Sequence, residues 1–239
     1  MQCSLHHIYN IKIGLPVRTS MLVWFLLLGR VIPGYANTSS PAIIEVVKEK
    51  QSALNAGKLE VVCKKYHILN SAIYQWKNHW VIYSSLSNVN ALRRQLAAQY
   101  PRVTVKTYQH PFYNFERKHC SSITVAKQWD NIILTANLVK NTKLQQEYLN
   151  YHATQFKKWP MVAQGFCNAG FQQLQVFKNG RQLMLVISIP KGASLDNLNL
   201  KTTEHNPQMV KWNTIMKKYQ EGISGTQPGE VWVFFKPLS

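Results

Sequence analysis

In the second half of the chain, segments whose hydrophobic residues have strand spacing alternate with segments whose hydrophobic residues have helical spacing. Four strand patterns are predicted, over residues 131–139, 171–177, 182–189 and 231–235. Two helical patterns lie between them, over residues 142–158, with Thr142 as a candidate cap, and over residues 207–219, with Asn206 as the cap. The pair Asn179-Gly180 favours a tight hairpin, because both residues accept a positive φ. The order β-α-β-β-α-β predicts a ferredoxin-like unit, with residues 190–205 as a long loop.

The first half carries a weaker version of the same pattern. Helices are predicted over residues 41–57 and 88–100, and strands over residues 59–63, 72–76, 80–84 and 103–108. Residues 111–127 are polar and irregular, and they predict a linker between two halves. Both halves end in a hairpin, a helix and a strand. The sequence therefore predicts an α+β fold with two ferredoxin-like halves, residues 37–125 and residues 126–239.

The N-terminal residues have the layout of a secretory signal. Arg18 precedes a short apolar run over residues 21–28, and Gly34-Tyr-Ala36 supplies small residues for a cleavage site. Arg30 interrupts the apolar region, and Met21 is an alternative start. We expect residues 1–36 to be a signal peptide and the mature protein to be periplasmic or secreted. An uncleaved anchor and a cytoplasmic protein with an apolar tail are the alternatives.

Composition and charge narrow the classes of protein. Hydrophobic residues make up 46% and aromatic residues 11% of the chain, which is enough for a packed core. No apolar stretch has the length that a stable membrane span requires. The formal net charge of +18 comes from scattered Lys and Arg residues, without a nucleic-acid-binding motif. A solvated basic surface is the simplest interpretation, and nucleic acid or an anionic membrane or polysaccharide surface is the alternative.

The cysteines leave two interpretations open. If Cys3 is lost with the signal peptide, Cys63, Cys120 and Cys167 remain. They form either one disulfide and one free thiol, or three buried thiols. Their spacing matches no metal site, and the chain has no nucleotide-binding or Ser-hydrolase motif.

The first helix of the second half carries an unusual face. Tyr148, His152, Gln155 and Trp159 recur at helical spacing, so they are predicted to lie on one stripe. A stripe with a phenol, an imidazole, an amide and an indole suits a sugar, whose C–H patches stack on aromatic rings and whose hydroxyls need polar partners. A buried core stripe is the plainer alternative.

The second helix carries another stripe, formed by Met209, Trp212, Met216 and Tyr219. If both stripes face the same sheet, an aromatic pocket is predicted where they meet it. These residues are candidates to line that pocket.

Several motifs of the second half resemble the L-rhamnose mutarotase family. The first motif is an acidic residue and Tyr148, followed by His152 and then by Trp159-Pro160. The other motifs are the hairpin strand over residues 181–187, the helix with Trp212, and the closing strand over residues 230–235. The resemblance covers residues 131–238 and implies the fold of dimeric α/β barrels. It therefore implies either a homodimer or a pseudo-dimer of two halves within one chain.

The resemblance also implies a function. His152 would be the acid–base residue of an enzyme that exchanges the anomers of L-rhamnose or a related deoxy sugar. Tyr148 would bind the substrate, Trp212 would form part of the pocket, and Gln155 and Trp159 of the same stripe are further candidate substrate-binding residues. One imidazole that titrates near neutrality can serve in both directions. The only expected ligand is a monosaccharide, and the reaction needs no cofactor.

Two other functions remain open at this stage. A non-catalytic sugar-binding module would keep the aromatic pocket without the chemistry. A haem- or quinone-type monooxygenase on the same fold would use His152 differently, for example as a haem ligand.

Overall fold

Two antiparallel β-sheets enclose a shared interior, and helices cover the outer face of each sheet. The structure is a computed structural model that describes residues 41–49 and 55–238. The predicted signal peptide, residues 1–36, lies outside the described residues. No helix in the described ranges is long and apolar enough to cross a membrane.

The N-terminal half is a complete ferredoxin-like unit. Its elements are β1 (Pro41–Lys48), α1 (Ala56–Lys65), β2 (Ile73–Trp76), β3 (His79–Ser85), α2 (Val89–Gln99) and β4 (Val103–Tyr108). The strands pair in the order β2-β3-β1-β4, and every neighbouring pair is antiparallel. This is the strand order that a βαββαβ unit adopts when both crossovers place their helices on one face.

The C-terminal half repeats this order with more helices. Its strands are β6 (Trp129–Leu138), β7 (Gln173–Asn179), β8 (Gln182–Pro190), the short β9 (Gln220–Glu221) and β10 (Val233–Phe234). Its helices are α3 (Thr142–Ala153), α4 (Gln155–Lys158), α5 (Pro160–Ala169), α6 (Leu195–Thr203) and α7 (Pro207–Met216). The main strands pair in the order β10-β6-β8-β7, and β9 pairs with β6. The prediction of two ferredoxin-like halves is therefore confirmed.

Each half also donates a strand to the sheet of the other half. After β4, the chain forms β5 (Tyr113–Glu116), which pairs with β7 at the edge of the second sheet. After β10, it forms β11 (Lys236–Pro237), which pairs with β2 at the edge of the first sheet. The two halves thus pair within one chain as a pseudo-dimer.

Side-chain alternation along the strands creates three cores. In β3, Trp80 and Ile82 pack against α1 and α2, whereas Val81 and Tyr83 point into the interior between the sheets. On the second sheet, residues such as Ile187 pack under the helices, and their neighbours face the shared interior. The third core, between strands and helices of the C-terminal half, contains the aromatic residues singled out in the sequence.

Several element predictions are wrong in the N-terminal half. Residues 41–48 form a strand and not a helix. Ile43 faces the interior and Ile44 faces the helices, so both faces of the strand are buried. Its sequence therefore lacks the alternation of apolar and polar residues that marks a strand with one buried face. Residues 59–63 lie in α1, where Leu59, Val62 and Cys63 form one buried face.

Three further corrections concern the segments around the second sheet. The predicted linker, residues 111–127, contains β5, and the predicted loop, residues 190–205, contains α6 with Ser194 as its cap. Asn141, and not Thr142, caps α3, because its side chain accepts hydrogen bonds from the backbone amides of Lys143 and Leu144.

A disulfide ties the two halves together. Cys120, which follows β5, is bonded to Cys167 in α5. Cys63 is a free thiol buried in the core of the first half, and this burial raises its pKa to about 12. Of the two interpretations of the cysteines, the structure supports one disulfide with one free thiol.

Candidate active site

A cavity of about 600 Å³ lies between the outer face of the second sheet and the helices α3, α6 and α7. This volume falls within the range of small-molecule sites, roughly 300–1,000 Å³. Its floor is apolar and is built by strand side chains, namely Leu134, Leu174, Val176, Leu185 and Ile187. Among the described lining residues, only Lys217 carries a charge, and its side chain is exposed.

His152 lies in the wall of this cavity, near the end of α3, and is only 7% exposed. Its Nδ1 atom is 3.0 Å from the backbone carbonyl oxygen of Tyr148, one turn earlier in the helix. Because a carbonyl oxygen only accepts, Nδ1 must carry the proton and donate it. The other ring nitrogen, Nε2, then keeps its lone pair, and it forms no hydrogen bond within the described part of the chain.

Four aromatic rings surround the imidazole. The ring centroids lie 4.3 Å away for Tyr148, 5.1 Å for Tyr113, 5.2 Å for Trp212 and 5.7 Å for Phe112. Three of them meet the imidazole edge to face. The imidazole therefore has an apolar environment, with one polar contact at Nδ1.

This environment changes the protonation of His152. Burial lowers its pKa to about 4, against the smaller opposing effect of the hydrogen bond to the Tyr148 carbonyl. The prediction of an imidazole that titrates near neutrality is therefore wrong. At neutral pH the ring is uncharged, so Nε2 is ready to accept a proton.

Tyr148 presents a hydroxyl that is oriented by two further residues. Its oxygen accepts a hydrogen bond from Nε2 of Gln220 at 3.3 Å, and Oε1 of Gln220 accepts one from the indole of Trp232 at 3.1 Å. An indole N–H only donates, so it fixes which side of the Gln220 amide faces Tyr148. Burial raises the pKa of Tyr148, so the phenol keeps its proton and can donate it to a ligand.

The structure brings together three of the five residues predicted to catalyse the reaction or bind the substrate. His152, Tyr148 and Trp212 line the cavity. Gln155 and Trp159 lie behind the lining. The reason is that α3 ends at Ala153 and Thr154 leaves helical geometry, so the stripe does not continue with the same spacing.

Gln155 and Trp159 instead support the wall. Gln155 is fully buried; its Oε1 atom accepts a hydrogen bond from the Tyr113 hydroxyl at 3.0 Å, and its Nε2 atom donates to the backbone of Trp159 at 3.0 Å. The Trp159 ring packs edge to face against Trp212 at 5.8 Å, and the Lys211 ammonium group lies 5.8 Å from its centroid.

Several lining residues were not predicted from the sequence. Tyr113 reaches the cavity from β5 of the other half, and α6 and α7 add polar groups, namely Asn199, Thr202, Thr203 and Asn213. The capping Ser194 was the signal that could have revealed α6. The described residues contain no group of three or more His, Cys, Asp and Glu side chains that could hold a metal ion.

The chain resembles proteins of known structure over most of its length. A haem-degrading enzyme of Listeria monocytogenes is 13% identical, with a TM-score of 0.37, over 82% of this chain and 99% of that one. A protein named as a monooxygenase, from Fusobacterium nucleatum, is 10% identical, with a TM-score of 0.41, over 83% of this chain and 91% of that one.

Sequence comparison concerns the C-terminal half. An L-fucose mutarotase of Xanthomonas campestris is 25% identical over 97 residues, which cover 40% of this chain and 75% of that one. A UPF0734 protein of Dictyostelium discoideum is 28% identical over 102 residues, which cover 43% of this chain and 79% of that one. Residues 132–238, which include His152 and Tyr148, match the L-rhamnose mutarotase family, and the resemblance inferred from the sequence motifs is thereby confirmed for that segment.

Proposed function

We propose that this protein is a mutarotase that interconverts the α and β anomers of L-rhamnose or a related deoxy sugar by acid–base ring opening. The observation that carries the proposal is the juxtaposition of two groups in one cavity. The uncharged His152 has a free Nε2 lone pair, and its aromatic neighbour Tyr148 has a hydroxyl proton to donate. The family match of residues 132–238 supports the same reaction.

The reaction requires two proton transfers. Nε2 of His152 takes the proton of the anomeric hydroxyl, and the electrons of that O–H bond form the aldehyde carbonyl as the bond between C1 and the ring oxygen breaks. The ring oxygen takes a proton from the Tyr148 hydroxyl. After rotation about C1–C2, the ring closes on the other carbonyl face, and both protons return.

The environment of the two groups suits these roles. General acid–base help of this kind contributes about 10²–10⁴-fold to a rate. Because no carboxylate is among the described lining residues, the neutral imidazole is the base in this proposal. The imidazolium formed transiently keeps its Nδ1 hydrogen bond to the Tyr148 carbonyl, which stabilises the added charge.

The lining favours a deoxy sugar. Aliphatic strand residues form the floor, and the ring of Trp212 stands beside His152. Such surfaces suit the methyl group and C–H faces of a sugar ring, whereas Asn199, Thr203 and Asn213 offer partners for its hydroxyls. This division of apolar and polar surface supports the proposed substrate class without identifying one sugar.

NMR exchange spectroscopy tests the proposal. The α and β anomeric signals of L-rhamnose and L-fucose are recorded with the protein, with the His152→Gln variant, and with His110→Gln, which changes an exposed histidine, as the control. We expect catalysed exchange with the wild type and the control only. Broadened signals without exchange in the wild type would instead indicate a sugar-binding module.

We further propose that the protein is exported. The disulfide between Cys120 and Cys167 supports this, because such bonds persist in oxidising compartments. Cell fractionation of the native host, followed by N-terminal sequencing, is expected to find protein that begins near residue 37. An intact N-terminus in the cytoplasmic fraction would contradict export.

A further inference from the structure

The wall of the cavity next to His152 is built partly by the other half of the protein. Residues 112–120, which we call the crossing segment, run from β5 to the disulfide and precede the family-matched region. The backbone amide of Phe112 donates to the carbonyl of Val176 at 2.9 Å, and β5 pairs along β7. At its other end, Cys120 is bonded to Cys167. The crossing segment is thus anchored to the second sheet and to α5.

This segment supplies two of the four rings around the imidazole. The Phe112 ring meets His152 at 5.7 Å with an interplanar angle of 71°, and the Tyr113 ring meets it at 5.1 Å and 82°. The Tyr113 hydroxyl is held by Gln155 at 3.0 Å. Phe112 is partly exposed and lies outside the cavity lining, and its ring packs against the imidazole.

The groups that face His152 are neutral. From α3 they are the carbonyl and the ring of Tyr148, from the crossing segment the rings of Phe112 and Tyr113, and from α7 the indole of Trp212. Burial is the main influence on the pKa of His152, and no charged neighbour contributes to it. Removing a covering ring should therefore raise the pKa of His152, mainly because water then reaches the imidazole.

We propose that the crossing segment completes the site, and that Phe112 and Tyr113 are positioning residues that shield the His152 imidazole from water and hold Nδ1 on the Tyr148 carbonyl. This inference rests on the proposed function in one respect: it assigns these rings a role in the proton transfer of His152. His152 also lines the cavity, so a ligand bound there would meet the imidazole.

The segment also gives the N-terminal half a place in the cavity wall. The ring of Tyr113 lines the cavity although its strand belongs to the half that lies outside the family match. The N-terminal half therefore has a part in the site besides packing. It supplies the edge strand that brings two aromatic side chains to the catalytic histidine.

The test uses Phe112→Ala, with Phe112→Leu as the conservative variant and Tyr66→Ala as the control. Tyr66 is a partly buried aromatic residue that packs against the first-half core, far from the cavity. For each full-length protein, the His152 signals are identified by comparison with His152→Gln. Their titration and the ring tautomer are then followed by ¹H–¹⁵N NMR, and anomer exchange is measured against pH.

In the wild type, we expect His152 to be the Nδ1–H tautomer and to titrate near pH 4. In Phe112→Ala, the midpoint should rise toward the ordinary value near 6.5, with mixed tautomers, and exchange at pH 5 should fall about tenfold as the ring becomes protonated. Phe112→Leu should restore most of the wild-type titration, and Tyr66→Ala should not change it.

The positioning role of the crossing segment and the proposed mutarotase function can be disproved independently. If Phe112→Ala titrates and exchanges like Tyr66→Ala, the positioning role is overturned, whatever the sugar. If the wild type exchanges no sugar but its His152 titration still shifts in Phe112→Ala, the positioning of the imidazole stands and the mutarotase proposal is wrong.

Discussion

The carboxylate of Glu45 in β1 accepts a hydrogen bond from the side-chain amide of Gln182 in β8, 3.0 Å away, across the interior between the two sheets. Glu45 is fully buried, and it also binds Nδ1 of His79 at 2.7 Å and the Tyr108 hydroxyl at 2.9 Å. The ammonium group of Lys106 lies 3.6 Å from the carboxylate. One buried carboxylate thus connects both halves.

The first prediction concerns this carboxylate. Burial alone would raise the pKa of Glu45, but the hydrogen bond from His79, the charges of Lys106 and His79, and the Gln182 amide outweigh it and lower the pKa. Its stabilising contribution is therefore present above the unfolded-state pKa near 4.3 and is lost as pH falls through the lower folded-state value.

We expect Glu45→Gln to lower the free energy of unfolding at pH 7 by about 3–5 kcal/mol, because it leaves the buried partners incompletely paired. Glu221→Gln is the matched control. It breaks the partly exposed ion pair with Arg181 and should cost less than about 1 kcal/mol. Urea unfolding between pH 3 and pH 7 measures both, and equal losses would contradict the role of Glu45.

The second prediction concerns the stability effect of His152. Its folded-state pKa of about 4 lies below its unfolded-state value near 6.5, so the wild type loses stability as pH falls from 6.5 to 4. The loss amounts to about 3 kcal/mol. In His152→Gln this part of the pH dependence should disappear, with a melting temperature within a few degrees of the wild type at pH 7. Parallel pH curves for the two proteins would argue against a buried neutral imidazole.

The third prediction separates the two proton-transfer groups. Tyr148→Phe keeps the ring but removes the hydroxyl, and we expect it to lower anomer exchange by about 10²-fold. Tyr100→Phe is the control, because it removes a tyrosine hydroxyl of the first half, one that donates to the backbone carbonyl of Asn55 at 2.9 Å. Similar melting temperatures with different exchange rates would support the role of Tyr148 as the acid. An unchanged rate in Tyr148→Phe would leave both transfers to His152.

The fourth prediction concerns the contact of α5 with α6 and α7. A Cβ atom on Gly165 would lie 2.7 Å from the backbone oxygen of Thr202 and 2.9 Å from the Met209 side chain. Because a backbone atom cannot move as a side chain can, we expect Gly165→Ala to cost about 1–3 kcal/mol in thermal unfolding. Gly57→Ala, where a Cβ would have only an ordinary contact with the Asn55 side chain, should have a much smaller effect.

The fifth prediction concerns the disulfide. Replacing Cys120 and Cys167 together with Ser should lower the free energy of unfolding by about 3–4 kcal/mol, because the bond closes a long loop in the unfolded chain. A thiol reductant should lower the melting temperature of the wild type to that of the double variant. If the reductant lowered the melting temperature of the double variant equally, the effect would not come from this bond.

Elements marked by a turn or by a single buried face were predictable from the sequence. The hairpin of β2 and β3 follows from two apolar runs that flank the polar residues 77–79. The helix α2 follows from its periodic pattern, and Asn88 caps it as expected. β1 was not predictable in this way, because both its faces are buried. α6 has a single fully buried residue, Thr202, so its apolar period is weak.

The residues of the candidate site also differ in whether the sequence predicts them. His152 and Tyr148 share one helical face and were predictable together, and Trp212 follows from the stripe on α7. Tyr113 was not, because its place beside His152 depends on the pairing of β5 with β7, which no local spacing encodes. The low pKa of His152 likewise results from rings that converge from three separate elements.

The exchange of β5 and β11 between the sheets has a consequence for how the chain acquires its structure. The first sheet receives its edge strand from residues 236–237, and the second receives an edge strand from residues 113–116, so neither sheet is complete until both halves are present. Such long-range pairings make folding slow and cooperative, because distant chain segments must meet before the contacts stabilise them. A half synthesised first would expose an unpaired strand edge, which is a template for aggregation. Folding intermediates with one sheet finished should therefore be short-lived, and the two halves should melt in a single transition.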